Sequence, residues 1–196
     1  MDHDARRAAI GLSVMKLVAD VGAERATVRA VAIASGWSTG VLAHYFGSKD
    51  EMLGFAITEI GDGVQRRIAQ IEARDPLQWV RAALIELLPL DEQRRIELLA
   101  WYGFLSRALN NPDLSNALQT AHRELEESVS SMLRQAVDTG QTVLVASTAD
   151  TALELLTFAD GLSLRHLFDP QRLDSVEMIR LLDGQIAELR SDLGQN

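Results

Sequence analysis

Apolar residues recur three and four positions apart along almost the whole chain, and no stretch alternates with the period of two that a half-buried strand needs. Ile10, Val14, Leu17, Val18 and Val21 fall on one face of a first helix, which Gly22 ends as a left-handed cap. Thr27 stands where an N-cap belongs, ahead of a short apolar-faced segment from Val28 to Ala34. Gly36 breaks that segment, and Ser38 caps another running to about Tyr45. Ser48-Lys49-Asp50-Glu51 is a capping box that opens a helix to about Arg74. Asp75-Pro76 supplies a cap and a first-turn proline for a helix over about 76–88, and Pro89 interrupts before another over about 91–109. Asn111-Pro112 repeats the device and starts a long helix that stops at Gly140. Ser147 to Asp150 and Asp174 to Glu177 start the last two helices, with Asp169-Pro170 between them. The expected fold is all-α, with about nine helices: three short or medium ones over 1–47, then a larger helical domain over 48–196. The capping box leaves no flexible tether between the two, so motion in the larger domain is expected to pass rigidly to the smaller. Gly140 to Val145 is the expected mobile loop.

With 47% hydrophobic residues in 196, the chain can bury a sizeable core without covalent staples. It has no cysteine, which removes disulfides, thiol catalysis and cysteine-ligated zinc. No run of eighteen apolar residues and no cleavable leader is present, so a soluble cytoplasmic protein with no membrane partner is expected. The net charge of −9 argues against a nucleic-acid partner until it is divided along the chain. The first fifty residues hold six of the 19 basic side chains and five of the 28 acidic ones, so nearly all the acidity lies beyond them. One end can therefore approach phosphate while the rest repels it. Acidic enzymes share that asymmetry, which permits DNA binding without proving it.

The informative window is TVRAVAIASGWSTGVLAHYFGSKD, from Thr27 to Asp50. Two helices of about two turns with a glycine-containing turn between them form a helix-turn-helix if they can cross closely. Ala32 is small enough for that approach, and Gly36 tolerates the positive φ of a sharp turn. Val31, Trp37, Leu42 and Phe46 supply an apolar underside. The opposite surface carries Thr27, Arg29, Ser38, Thr39, His44, Tyr45 and Lys49, rich in donors and expected to be free of acid.

Thr27-Val28-Arg29, Ala32, Gly36-Trp37-Ser38, Gly40, His44-Tyr45-Phe46 and Lys49 together resemble the DNA-binding region of TetR-family regulators. Trp37 stands where that family usually has valine or another aliphatic residue. Further on, Trp101-Tyr102-Gly103-Phe104-Leu105 and Asn110-Asn111-Pro112-Asp113-Leu114 are similar, more weakly, to the BetI-like branch. The resemblance implies phosphate contacts from Thr27, His44, Tyr45 and Lys49, and a base-edge or phosphate contact from Arg29. It places Ser38, Thr39 and Gly40 against the groove. It also implies a homodimer formed through the last two helices, a palindromic double-stranded operator, and a repressor released from DNA by a small-molecule effector. No cofactor is implied.

Each residue alone has a plainer reading. Thr27 and Ser38 are caps in any helical protein, Tyr45 is an amphipathic rim residue, and Arg29 and Lys49 are surface charges. Their joint spacing favours DNA binding. Glu97, Trp101, Tyr102, Phe104, Met132 and Phe158 are candidates to line an effector cavity, because a carboxylate beside an indole attracts a cation. Trp79 is a further large apolar side chain available for it, and all of these serve equally as core. His122 and Glu126 stand i, i+4 on one helix, a metal pair that nothing nearby in sequence completes. No nucleophile motif or glycine-rich phosphate loop occurs, so no enzyme is expected. An acidic helical binding protein that sequesters a small molecule is the main rival reading, and a helical enzyme with an unfamiliar site is a third. From Ala149 to Phe168 apolar residues leave hardly any face polar, and Leu181, Leu182 and Ile186 are expected to extend that patch toward a partner copy.

Overall fold

The structure is a computed structural model that describes residues 3–191. Among the described residues there are nine helices and no strand: α1 (His3–Val21), α2 (Val28–Ser35), α3 (Thr39–Tyr45), α4 (Lys49–Ile68), α5 (Pro76–Ile85), α6 (Glu92–Ala108), α7 (Pro112–Asp138), α8 (Thr148–Phe168) and α9 (Ser175–Ser191). They divide into two compact units, each with its own core. One joins the residues up to Gly63 with Arg95–Ala121; the other joins Val64–Arg94 with the residues from His122 onward.

The first unit is built around two helices too short to persist alone, α2 with 8 residues and α3 with 7. Their ends are satisfied locally. The Thr27 hydroxyl accepts from the Ala30 N–H at 3.1 Å, and the Ser38 hydroxyl accepts from the Val41 N–H at 3.1 Å. Gly36 ends α2 at φ 72°, a left-handed conformation that a side chain would strain. Their inner faces, Val31, Ala32 and Leu42, are buried with Ile10, Val14 and Val18 of α1 and Leu53 and Ile57 of α4. α6 joins this core through Ala100 and Phe104. A Cβ added at Gly103 would lie 2.7 Å from Cγ1 of Val18, so α6 approaches α1 as closely as only glycine permits.

In the second unit α9 packs on α5 and α8, burying Val80, Leu84, Leu155, Ala159, Met178, Leu182 and Ile186. Arg81 grips the Asp183 carboxylate with two nitrogens, and Arg190 reaches Asp75 at 3.3 Å. Arg94 lies 2.7 Å from Asp91 and 3.5 Å from Glu86, which also pairs with Arg67 at 2.9 Å. The cap signals at Asp75, Ser147 and Asp174 are all engaged, and Asp91 caps α6 in the same way. Each side chain accepts a backbone N–H three residues on, at 2.8–3.1 Å.

Five sequence expectations need correction. α4 stops at Ile68 rather than near Arg74, because the chain tightens into i+3 turns at Gln70 and Ile71, and Ile71 folds back onto the second core. Pro76 then requires its predecessor to be extended, and Asp75 is, at φ −146° and ψ 159°. α5 ends at Ile85 instead of about 88, where tighter turns through Leu87 and Leu88 bury Leu88. The stretch from Gly140 to Val145 is pinned at its middle, since Thr142 is buried and its hydroxyl donates to the Leu189 carbonyl. On α9, Leu182 and Ile186 are buried in their own core and do not extend an exposed patch. α8 is likewise not apolar on every exposed position, because Asp150, Glu154, Thr157, Asp160 and Arg165 share its outer side with Leu153, Leu164 and Phe168.

Candidate nucleic-acid interface

The α2–turn–α3 segment presents a continuous set of polar groups. Thr27 and Arg29 open α2; Ser38, Thr39 and Gly40 open α3; His44 lies in its last turn; all six are exposed. A hydroxyl that accepts a capping bond keeps its own O–H to donate, so Thr27 and Ser38 can cap a helix and contact a phosphate together. The start of α3 is the part that a recognition helix sends into a major groove, and Gly40 there lets the backbone come close. Trp37 is half-buried and packs on the first core, as do Tyr45 and Phe55. The Tyr45 ring lies edge-on to His44 at 5.7 Å and tilted against Phe46 at 6.4 Å, and Phe46 in turn meets Phe55 at 5.4 Å. This chain of rings fixes where the tyrosine stands.

Lys49 differs from the others. Its side chain is only 23% exposed, and its ammonium donates to the Glu24 carbonyl at 2.7 Å while lying 3.9 Å from the Glu24 carboxylate. The surface is therefore not free of acid, contrary to expectation: the α1–α2 turn brings Glu24 beside it. Arg107, at the end of α6, holds Glu24 Oε1 through Nη1 at 2.7 Å and Asp50 Oδ1 through Nε at 2.7 Å. The Asn111 amide donates to the other Asp50 oxygen at 2.9 Å while its carbonyl oxygen accepts the Leu114 N–H at the start of α7. The Arg107 hydrogen bond holds the Asp50 carboxyl below the ordinary carboxylate range, aided by the Arg107 and Lys49 charges and the Asn111 amide against a desolvation penalty. The hydrogen bonds to Asp50 and then Glu24 raise the Arg107 guanidinium in turn. Sequence reasoning missed this cluster, because Arg107 stands 57 positions from Asp50 and 83 from Glu24. Spacing carries no signal over that range.

The effector candidates are distributed over both units. Glu97 is buried, Trp101 and Tyr102 are half-buried and Phe104 is fully buried, all on α6 in the first unit. Met132 and Phe158 are half-buried against the second core, as is Trp79. The structure thus brings Glu97 and Trp101 together on one helix, a turn apart.

Two family models match. The model for bacterial regulatory proteins of the tetR family covers residues 14–54, and that for the C-terminal part of BetI-type transcriptional repressors covers residues 76–191, more than half the chain. The chain belongs to the TetR family. This TetR-family chain is 29% identical over 187 residues to the HTH-type transcriptional regulator PksA of Bacillus subtilis, covering 93% of the one and 88% of the other. It is 28% identical over 173 residues to BetI 1 of Chromohalobacter salexigens, covering 86% of this chain and 82% of that one. Among solved structures it matches a transcriptional regulator of a Rhodococcus species with TM-score 0.82 and 30% identity, covering 93% of this chain and 95% of that one. A regulator of Saccharomonospora viridis solved in complex with choline shares the fold, with TM-score 0.83, 19% identity and 94% and 97% coverage. TetR-family regulators bind DNA operators and small-molecule effectors and form dimers, and this one is a DNA-binding transcriptional repressor rather than an enzyme. No helix among the described residues is long and apolar enough to cross a membrane.

Proposed function

We propose that residues 1–47 read a palindromic operator in the cytoplasm and that residues 48–196 dimerise and sense an effector. Thr27, His44, Tyr45 and Lys49 take backbone phosphates, Arg29 takes a base edge or phosphate, and Ser38, Thr39 and Gly40 face the groove. The observation that carries the reading is the exposure of the α2 and α3 starts within the matched segment. Six donor-bearing or open positions stand on a core that holds both helices in place. Two copies pair through the outer sides of α8 and α9, where Phe168 is 78% and Val176 76% exposed. Gly161 and Gly184 leave open space on the same two helices, which suits a close two-fold crossing.

Operator selection from random DNA, followed by titration, tests the reader. Arg29→Ala is expected to lose roughly 1–3 kcal/mol on the selected site and to relax preference at one base pair of each half-site. Equal losses on selected and random DNA would remove the base-reading role of Arg29. If no sequence is selected at all, the sequestering protein is the better reading.

The effector we propose is a small, mainly apolar cation recognised on α6 by the Glu97 carboxylate and the Trp101 and Tyr102 rings. The choline found on the Saccharomonospora viridis protein supports that class of ligand. Phe104 is a core residue of the same unit, whereas Met132 and Phe158 pack on the second core. Glu97 and Trp101 belong to the same packed unit as α2 and α3, so a ligand there acts on the body that holds the reader. It must favour the released state, because equal affinity for both states shifts nothing. Choline titrated against tryptophan fluorescence, with Trp101→Phe as control, tests this. Glu97→Gln should weaken choline and spare its uncharged isostere 3,3-dimethylbutanol; equal loss of both would discard charge recognition.

A further inference from the structure

The Glu24 carboxylate stands between two cations, and the structure shows which one holds it. Glu24 Oε1 meets Arg107 Nη1 at 2.7 Å, whereas Glu24 Oε2 is 3.9 Å from Lys49 Nζ. The ammonium instead rests on the Glu24 backbone carbonyl at 2.7 Å. Arg107 is fixed from its other side by Asp50, at 2.7 Å from both Nε and Nη2, so it is oriented toward the two carboxylates and is itself only 25% exposed. Two cations and two anions balance in this cluster. Without the guanidinium, two carboxylates would share one ammonium. Glu24 is 72% exposed, so about an ångström of side-chain rotation would close the remaining gap to Lys49. A lysine closed into that ion pair must break it before it can serve a phosphate.

We propose that Arg107 is a positioning residue for DNA binding: by holding the Glu24 carboxylate it keeps the Lys49 ammonium available to a backbone phosphate. Arg107 stands on α6, outside the helix-turn-helix, and is not one of the proposed DNA contacts. It acts through Lys49, and the proposal rests on the reading of Lys49 as a phosphate contact. Glu24 is then an internal competitor of DNA. The first unit contains its own restraint on that competitor, supplied from α6.

The test measures affinity for the selected operator across a range of salt, with the full chain. Lys49→Met is expected to lower affinity about tenfold and to reduce the salt slope by about one for each lysine lost. Arg107→Gln is expected to cause a loss of the same kind, slope included, although it removes no phosphate contact. Adding Glu24→Gln to Arg107→Gln should restore both affinity and slope. Arg107→Gln combined with Lys49→Met should be no worse than Lys49→Met alone. A purely structural Arg107 would behave otherwise: its loss would survive Glu24→Gln and add to that of Lys49→Met, and either result overturns the proposal. If Arg107→Gln does not fold, Arg107→Lys carries the same test, since a compact ammonium lacks the planar fork that reaches Glu24 through Nη1 and Asp50 through Nε and Nη2. A loss repaired by Glu24→Gln supports the role, and an unchanged affinity or an unrepaired loss overturns it. Should Lys49→Met alone change neither affinity nor slope, the phosphate reading of Lys49 has failed and the role of Arg107 fails with it.

Discussion

The two units use polar side chains for different ends. In the second, Arg67, Arg81, Arg94 and Arg190 are each paired with a carboxylate of the same unit, and two of these pairs fasten α9 to α5 or to its cap. In the first, Thr27, Arg29, Ser38, Thr39 and His44 stand exposed on two helices that together count 15 residues. Around Lys49, Asp50, Glu24 and Arg107 that unit gathers charge into a network. A body that only has to hold together can satisfy its charges internally. A surface that must meet phosphate keeps donors open, and its small helices therefore depend on caps and on a shared core.

The sharpest way to break this contrast is to injure each core in turn. Leu42 and Leu133 are both fully buried, one on α3 and one on α7. Each leucine-to-alanine change should cost about 2–5 kcal/mol by chemical denaturation. Leu42→Ala should also remove operator binding at temperatures where the chain is still folded, whereas the folded fraction of Leu133→Ala should bind with normal affinity. Equal effects on binding would mean that the first unit holds no separable reader.

Gly103 gives a smaller and more local test. An alanine Cβ there must displace Val18, so Gly103→Ala should destabilise the protein by about 1–3 kcal/mol despite its better helix propensity. The same change at Gly161, where nothing lies within 4 Å of the added atom, should not destabilise the isolated fold. Any loss at Gly161 should appear as weaker dimerisation in sedimentation. A Gly161→Ala protein that unfolds as early as Gly103→Ala would contradict the packing described for both.

Caps come next. Thr27→Ala and Ser147→Ala each remove a capping bond of 3.1 Å, worth about 1 kcal/mol in thermal unfolding, and Ser147→Ala also removes a 2.7 Å bond from its hydroxyl to Asp150. They should separate on DNA, because only Thr27 has a hydroxyl proton facing the proposed phosphate. Matching DNA affinities for the two variants would leave Thr27 a cap and nothing more.

These comparisons also show what the chain discloses as a string. Caps were legible at Thr27, Ser38, Asp75, Ser147 and Asp174 because capping is settled within three residues. Gly22, Gly36 and Gly140 were legible as stops, and all three have positive φ, at 82°, 72° and 70°. The end of α4 was not, since Ile71 leaves the helix for a core assembled from α5, α7, α8 and α9. Leu182 and Ile186 were misjudged for a related reason: periodicity marks a helix as apolar on one face and leaves open which neighbour covers it. In the candidate site, the exposed donors were legible from their spacing. Glu24, Arg107 and Asn111 were not, because the fold alone brings them to Lys49 and Asp50.

The smallest expected effect separates the two kinds of charge cluster by pH. Asp50 of the first unit is held below the ordinary carboxylate range mainly by the Arg107 hydrogen bond. Asp91 of the second is held there mainly by the Arg94 backbone N–H, with the Arg94 side chain and the Arg94 and Arg67 charges adding to it. For both, the folded value lies beneath an unfolded value near ~4. Their stabilisation is therefore fully present above about pH 4, and is lost as pH falls through the lowered folded value. Both groups are solvent-screened, which keeps each contribution within about 1 kcal/mol. Denaturation midpoints followed between neutral and acid pH should show the Asp50 share shrink in Arg107→Gln to the small part that the Lys49 charge and the Asn111 amide supply. The Asp91 share should persist in part in Arg94→Gln, because a backbone N–H still caps that carboxylate. If Arg107→Gln retains the full acid dependence of the parent, the charge network around Lys49 adds nothing to the first unit's stability, and only its effect on DNA remains to justify Arg107.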